Sequence, residues 1–160
     1  GIVLEARRRA GAPRFVRAIV VGLVGVGLIA VAVVVARPPV DKNVTDHKVA
    51  VELERVDNQV LARWRELFDD KTLDDAQLAD AIERELLPPW RTAREAFENS
   101  TAGRPNVRPL MISYLRAREL SWEMMARGLR AKDAAEITRG SAKFDEADAL
   151  VLELNALLKR

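Results

Sequence analysis

The strongest feature of the hydropathy pattern is an unbroken apolar run from Ala18 to Ala36, which lies between Arg17 and Arg37. It contains no charged or strongly polar side chain. As a helix, these nineteen residues would rise roughly 28 Å, close to the ~30 Å thickness of the hydrocarbon layer of a bilayer. The run therefore predicts one transmembrane helix over residues 18–36.

Two alternatives compete with a membrane anchor. An apolar helix can be buried in a protein core, but the rest of this chain is too short to surround such a long one. A cleaved secretory signal also has a basic segment and an apolar core, and Ala30-Val31-Ala32 resembles a cleavage site. The run is longer than the ~7–15 residues of a signal core and continues past that site, which favours an anchor.

After the apolar run, apolar positions recur with the period of amphipathic helices, and no segment alternates with the period of a strand. The spacing predicts helix one over 46–69, helix two from a Thr72 cap, helix three over 89–99, helix four over 109–131 and helix five after an Asp133 cap. Pro88-Pro89 is expected to interrupt the chain between helices two and three because proline cannot donate to the helical ladder. Residues 100–109 are expected to form the one long polar loop.

The predicted fold class is all-α, with one transmembrane helix followed by an antiparallel bundle of about four helices. We expect residues 1–17 to be a cytoplasmic basic segment, 37–45 a linker and 46–160 an extracytoplasmic bundle. Helix two is expected to present an apolar face of Leu73, Ala76, Ala79, Ile82 and Leu86. The predicted core comprises apolar residues from every helix: Leu53, Val60, Trp64, Ile82, Phe97, Leu115, Trp122, Phe144, Val151 and Leu158.

Charge sets the expected orientation in the membrane. Five arginines precede the apolar run and form the predicted cytoplasmic anchor, whereas acidic and basic residues nearly balance just after it. This bias places the N-terminal side in the cytoplasm and the bundle outside. After residue 37 the chain has 20 basic and 23 acidic residues, which argues against a nucleic-acid partner. The five anchor residues are Arg7, Arg8, Arg9, Arg14 and Arg17.

Small residues recur along one face of the predicted transmembrane helix, at Ala18, Gly22, Gly25, Ala32 and Ala36. In lipid such a face lets another helix approach closely. The expected partners are therefore the lipid bilayer and other transmembrane helices, of the same chain or of a second copy. The alternative is that glycine and alanine are simply common in membrane helices.

Candidate chemistry is sparse. The chain has no cysteine, which excludes disulfides and thiolate catalysis, and His47 is its only histidine. No serine lies in a recognisable nucleophile motif, and the acidic stretch 69–75 does not fit a calcium loop. We predict no catalytic residue, cofactor, metal site or small-molecule substrate. The arginines of helix four favour a solvated, ion-paired face over a docking site for an acidic partner: Arg116, Arg118, Arg127 and Arg130.

Finally, the chain begins Gly1-Ile2-Val3-Leu4 without a methionine, which suggests a piece of a longer protein. A short arginine-rich loop, a membrane span and a helical domain with Glu85-Leu86-Leu87-Pro88-Pro89-Trp90-Arg91 follow. Together these features resemble the C-terminal end of bacterial rhomboid-family intramembrane serine proteases. The resemblance implies that this is the non-catalytic end of a multi-pass protease, since the family's serine motif and membrane histidine are not in this sequence. The alternative is a single-span sensor or adaptor bundle.

Overall fold

The computed structural model describes residues 44–158 of the chain. Its elements are α1 (Val44–Asp69), α2 (Asp75–Ala81), a π-helical turn (Ile82–Leu86), α3 (Leu87–Asn99), α4 (Arg108–Ala131) and α5 (Ala134–Leu158). Because α2, the π-helical turn and α3 follow one another without a break, the described chain forms four long helical elements. It contains no strand, so the all-α prediction is confirmed for these residues.

Contacts at the two ends of the bundle show that successive elements run antiparallel. At one end, the Thr101 backbone N–H donates to Asp46 Oδ1 over 3.1 Å, so the α3–α4 loop lies beside the start of α1. At the other end, Arg130 near the end of α4 pairs with Asp80 and Glu83, each over 2.6 Å. The four helical elements therefore run alternately up and down, which is the antiparallel arrangement that the helix lengths predicted.

The centre of the bundle is aromatic. The rings of Trp90 and Trp122 meet edge to face with centroids 4.9 Å apart, and Phe144 lies 5.7 Å from Trp64 and 6.0 Å from Trp122. These four rings join α1, α3, α4 and α5. All predicted core residues whose side chains are described are buried: Leu53, Val60, Trp64, Ile82, Phe97, Leu115, Trp122, Phe144 and Val151. The Leu158 side chain lies outside the described part.

The prediction that Pro88-Pro89 interrupts the helix is wrong. Both prolines lie in the first turn of α3, and the backbone stays helical through the preceding residues. Proline lacks an N–H, so two donors of the ordinary ladder are missing here. The chain instead forms a π-helical turn, in which the Leu87 N–H bonds to the Ile82 carbonyl five residues back. This turn keeps both Ile82 and Leu86 fully buried.

The predicted cap of helix two is also wrong. Asp74, not Thr72, caps α2: Asp74 Oδ1 accepts from the Gln77 N–H over 2.8 Å, and Gln77 Oε1 accepts from the Asp74 N–H over 2.9 Å. This reciprocal pair satisfies two backbone donors at the helix start. Thr72 instead donates its N–H and hydroxyl to Asp70 Oδ1 in the turn before the helix.

The apolar face of α2 also differs from the predicted face. Ala76, predicted to face the core, is exposed, whereas Leu78 is buried. At 3.6 residues per turn, Ala76 lies about 120° from Ile82 around the helix and Leu78 only about 40°. Leu73, which precedes α2, is only partly buried.

The described part of α1 begins at Val44, two residues before the predicted start at Asp46, and most of the predicted linker over 37–45 lies outside the described residues. The predicted transmembrane helix over 18–36 and the basic segment over 1–17 lie outside the described residues. Among the helices of residues 44–158, none combines the length and the apolar character needed to cross a bilayer.

Candidate functional site: a polar cluster inside the bundle

Three buried polar side chains meet between α1, α4 and α5, and a fourth, which is 19 % exposed, pairs with one of them at the edge. We call the four the buried polar cluster: Asp57, Tyr114, Arg118 and Asp148. Asp57 is 2 % exposed, Tyr114 1 % and Arg118 2 %. Charged side chains are seldom buried to this degree unless they are paired, because leaving water costs them free energy. The cluster is therefore the most unusual chemical feature of the described chain.

The Tyr114 hydroxyl donates to Asp57 Oδ1 over 2.6 Å, which ties α4 to α1. Burial raises the pKa of the Asp57 carboxyl to about 6, although the Tyr114 hydrogen bond and the positive charge of Arg118 act to lower it. Burial also raises the pKa of Tyr114 well above its usual value, and the charge of Asp57 adds to this effect. Asp57 thus gains or loses a proton near pH 6 while Tyr114 stays protonated.

Arg118 links α4 to α5. Its Nη2 donates to Asp148 Oδ1 over 2.7 Å, and its guanidinium lies 4.8 Å from the centre of the Phe144 ring and 5.4 Å from that of Tyr114. Its Nε is buried without a hydrogen-bond partner among the described atoms. The planar guanidinium therefore stacks on two rings while one edge binds a carboxylate, an arrangement that lysine cannot reproduce.

The prediction of a solvated arginine face on helix four is wrong for Arg118. The reason is that α4 packs against α3 on one side and α5 on the other, so its buried arc is broad. The prediction is confirmed for Arg116, Arg127 and Arg130, which are exposed and ion-paired.

Outside the cluster, ion pairs line the surface between α3 and α4. Glu119 accepts from Arg91 over 2.9 Å and from Arg94 over 2.5 Å, while Glu98 accepts from Arg94 and Arg116. The hydrogen bond from Arg116 is the main reason that the pKa of Glu98 is lowered. Partial burial acts to raise this pKa, and the hydrogen bond from Arg94 lowers it further. This ladder joins the two helices electrostatically.

A surface groove of about 340 Å³ lies between the end of α1 and α2 with the π-helical turn. Its walls carry both charge signs, and Arg63 pairs there with Glu85 over 2.6 Å and with Glu66 over 2.9 Å. Charged and apolar side chains thus share the walls of the groove, and neither polar nor apolar surface predominates. Within residues 44–158, no group of His, Cys, Asp or Glu side chains is arranged to hold a metal ion.

The remaining predicted residues are placed as follows. His47 is exposed near the start of α1, and the three tryptophans are core residues, as predicted. Both predicted membrane features lie outside the described residues: the cytoplasmic anchor (Arg7, Arg8, Arg9, Arg14 and Arg17) and the helix-packing face (Ala18, Gly22, Gly25, Ala32 and Ala36).

Sequence reasoning missed the acidic members of the cluster. A signal was present for Asp57, because it lies four residues after Leu53 and three before Val60, on the apolar stripe of α1. A carboxylate at such a position needs a buried partner. That partner, Tyr114, comes 57 residues later, so nothing local in the sequence identifies it.

Comparison of the chain with models of known protein families, with curated proteins and with solved structures gives no match.

Proposed function

We propose that this chain is a membrane-anchored helical domain that binds a partner rather than catalysing a reaction. Residues 18–36 cross the membrane, residues 1–17 lie in the cytoplasm and the helical bundle lies outside. The main partners are the bilayer and other transmembrane helices.

One observation carries most of this proposal: only residues 37–43 separate the apolar run from α1, which begins at Val44. Seven residues span at most about 25 Å when fully extended, so the bundle stays close to wherever the apolar run is held. α1 is in turn fixed to the bundle through Asp57, bonded to Tyr114, and Trp64, stacked on Phe144. A force or displacement at the anchor would therefore reach the bundle interior through α1.

The resemblance to the end of rhomboid-family proteases supports a second part of the proposal, that the chain is the C-terminal part of a multi-pass membrane protein of that type. In this arrangement the small-residue face contacts neighbouring spans of the same protein. The alternative is a single-span sensor or adaptor, in which the same face binds a second copy.

Alkaline carbonate extraction of bacterial membranes tests the anchor. The full chain should stay in the membrane pellet, because carbonate removes peripheral proteins but leaves transmembrane helices embedded in lipid. A matched variant that lacks residues 18–36 should move to the supernatant. Release of the full chain by carbonate would show that the apolar run does not span the membrane.

A membrane two-hybrid assay separates the two arrangements. If the isolated chain self-associates through the small-residue face, Gly22→Leu with Gly25→Leu should reduce the signal strongly, since leucine blocks close approach of the backbones. Val20→Leu with Val24→Leu, on the opposite face, is the matched control and should change little. Absence of any self-association would favour the multi-pass arrangement.

A further inference from the structure

The two ends of the bundle differ in charge. The near end, where α1 starts, comprises residues 44–48, 100–108 and 155–158, and the far end comprises residues 69–75 and 131–136. The near end carries three Lys or Arg residues against one Asp, whereas the far end carries two lysines against six carboxylates. The bundle is thus polarised along its long axis, with its positive end towards the apolar run.

The cations of the near end are Lys48, Arg104 and Arg108, and none of them makes an ion pair with another residue of 44–158. Lys48 and Arg104 are exposed. Arg108 donates to two neutral carbonyls, those of Ala102 over 2.8 Å and Glu98 over 2.9 Å. Its charge therefore orders the loop without being cancelled.

The sides of the bundle are different, because most of their arginines are paired with carboxylates. Examples are Arg63, Arg91, Arg94, Arg116, Arg118, Arg127, Arg130 and Arg139. The single near-end aspartate, Asp46, accepts from both the N–H and the hydroxyl of Thr101 and so serves to hold the loop in place. The near end is thus left with a net positive charge, whereas carboxylates outnumber the lysines at the far end.

We propose that the near end of the bundle is a lipid-binding surface, on which Lys48 and Arg104 contact anionic headgroups of the membrane. This inference rests on the proposed anchor, since a connection of seven residues holds the near end within reach of headgroup phosphates. Basic side chains are attracted to an anionic bilayer only within about a Debye length of its surface. The acidic far end is repelled by the same surface, so the charge distribution orients the bundle upright.

The test uses the full chain in nanodiscs of zwitterionic phosphatidylcholine, or of the same lipid with phosphatidylglycerol. Hydrogen exchange of the backbone amides in residues 100–107 should be about fivefold slower in the anionic discs, as expected for even one cation bound to the surface. Adding 0.5 M salt, roughly, should abolish the difference because it screens the headgroups. This salt arm tests the proposal on the unmodified protein.

Lys48→Glu with Arg104→Glu should remove the slowing, because both side chains are exposed and their loss leaves the core intact. The matched control, Lys71→Glu with Lys132→Glu, makes the same charge change at the far end and should keep the slowing. Equal exchange of the unmodified chain in both discs would overturn the proposal and leave an acidic protein surface as the partner of these cations. Slowing that survives in the near-end variant, or in high salt, would also overturn it.

Failure of this proposal is distinguishable from failure of the anchor. A chain that resists carbonate extraction but shows no dependence on anionic lipid refutes the lipid-binding surface alone. A chain released by carbonate refutes the anchor.

Discussion

At the scale of single residues, the buried carboxyl of Asp57 makes one contribution to the stability of the bundle that depends on pH. Burial raises its pKa to about 6 in the folded state, against about 3.9 in an unfolded chain. The folded state therefore holds this proton more tightly than the unfolded state, and the resulting stabilisation is complete below about pH 4. It is lost as the pH rises through 6, by about 3 kcal/mol in all.

We predict that the free energy of unfolding of the unmodified protein falls relative to that of Asp57→Asn between pH 4 and pH 7.5. Asparagine keeps an oxygen to accept from Tyr114 but cannot titrate. Urea unfolding of residues 41–160, followed by tryptophan fluorescence, measures the difference. Other carboxylates contribute equally to both proteins. The assignment would be contradicted if the free energy of unfolding of the unmodified protein, relative to that of Asp57→Asn, stayed constant or rose with pH.

Gly128 is required at the crossing of α4 and α5. A Cβ at this position would lie 2.7 Å from Ile137 Cγ1 and 2.8 Å from the Ile137 backbone nitrogen, and the second atom cannot move without shifting the helix. Gly128→Ala should therefore lower the free energy of unfolding by about 1–3 kcal/mol. Ser113→Ala, at an exposed position of the same helix, should stay within about 0.5 kcal/mol. A Gly128→Ala protein as stable as the unmodified protein would mean that α4 and α5 lie farther apart at this position than the structure shows.

Most apolar core residues were predictable from the sequence because regular helical spacing places them on one face, although the same spacing misplaced Ala76 in α2. Trp64, Trp122 and Phe144 lie on helical stripes and are all buried. The polar members of the core were not predicted. Asp57 lies on the apolar stripe of α1, but its partner Tyr114 is distant in the sequence, and Arg118 lies between exposed, ion-paired arginines of α4. Arg118 in particular looks like its exposed neighbour Arg116 in any local view.

At the scale of elements, the α3–α4 surface depends on Glu119. Its side chain is 13 % exposed and binds both Arg91 and Arg94, so its removal leaves two partly shielded cations without this partner. Glu119→Ala should lower the free energy of unfolding by about 1–2 kcal/mol. Glu52→Ala is the matched control, because Glu52 is 54 % exposed and pairs with Arg55 three residues away on the same helix. Its effect should stay below about 0.5 kcal/mol. If urea unfolding showed equal losses of free energy of unfolding in the two variants, the shielded ion pairs would contribute no more to stability than the exposed one.

In the turn between α4 and α5, a substitution is expected to stabilise the bundle. Lys132 has a φ of 53° and so lies in the left-handed region, which is energetically unfavourable for residues with a Cβ. Lys132→Gly should raise the free energy of unfolding by about 0.5–1 kcal/mol. Lys132→Ala keeps the Cβ and separates this gain from the loss of charge. A glycine variant no more stable than the alanine variant in urea would contradict the assigned conformation.

Helix positions were predicted well where apolar spacing was regular, as in α4 and α5. Pro88-Pro89 was misjudged because a local rule treats paired prolines as a break. In the structure the burial of Ile82, Leu86 and Trp90 on one continuous face favours a π-helical turn over a loop. Such competition between local backbone chemistry and core packing is settled only in the folded bundle.

At the scale of the whole molecule, residues 44–158 form a helical bundle whose first helix follows the proposed membrane anchor after seven residues. The buried polar cluster joins α1 to α4 and α5, and the near end of the bundle has a net positive charge. Residues 18–36 and the arginines before them give the proposed anchor and its direction, and both come from the sequence rather than from the described residues.

A dual topology reporter tests this claim most directly. Alkaline phosphatase, active only outside the cytoplasm, and green fluorescent protein, fluorescent only inside, are fused separately after Arg160 and, as the matched control, after Arg17. The positive-inside bias predicts phosphatase activity without fluorescence at Arg160 and the reverse at Arg17. Fluorescence at Arg160 without phosphatase activity would place the bundle in the cytoplasm and contradict the account.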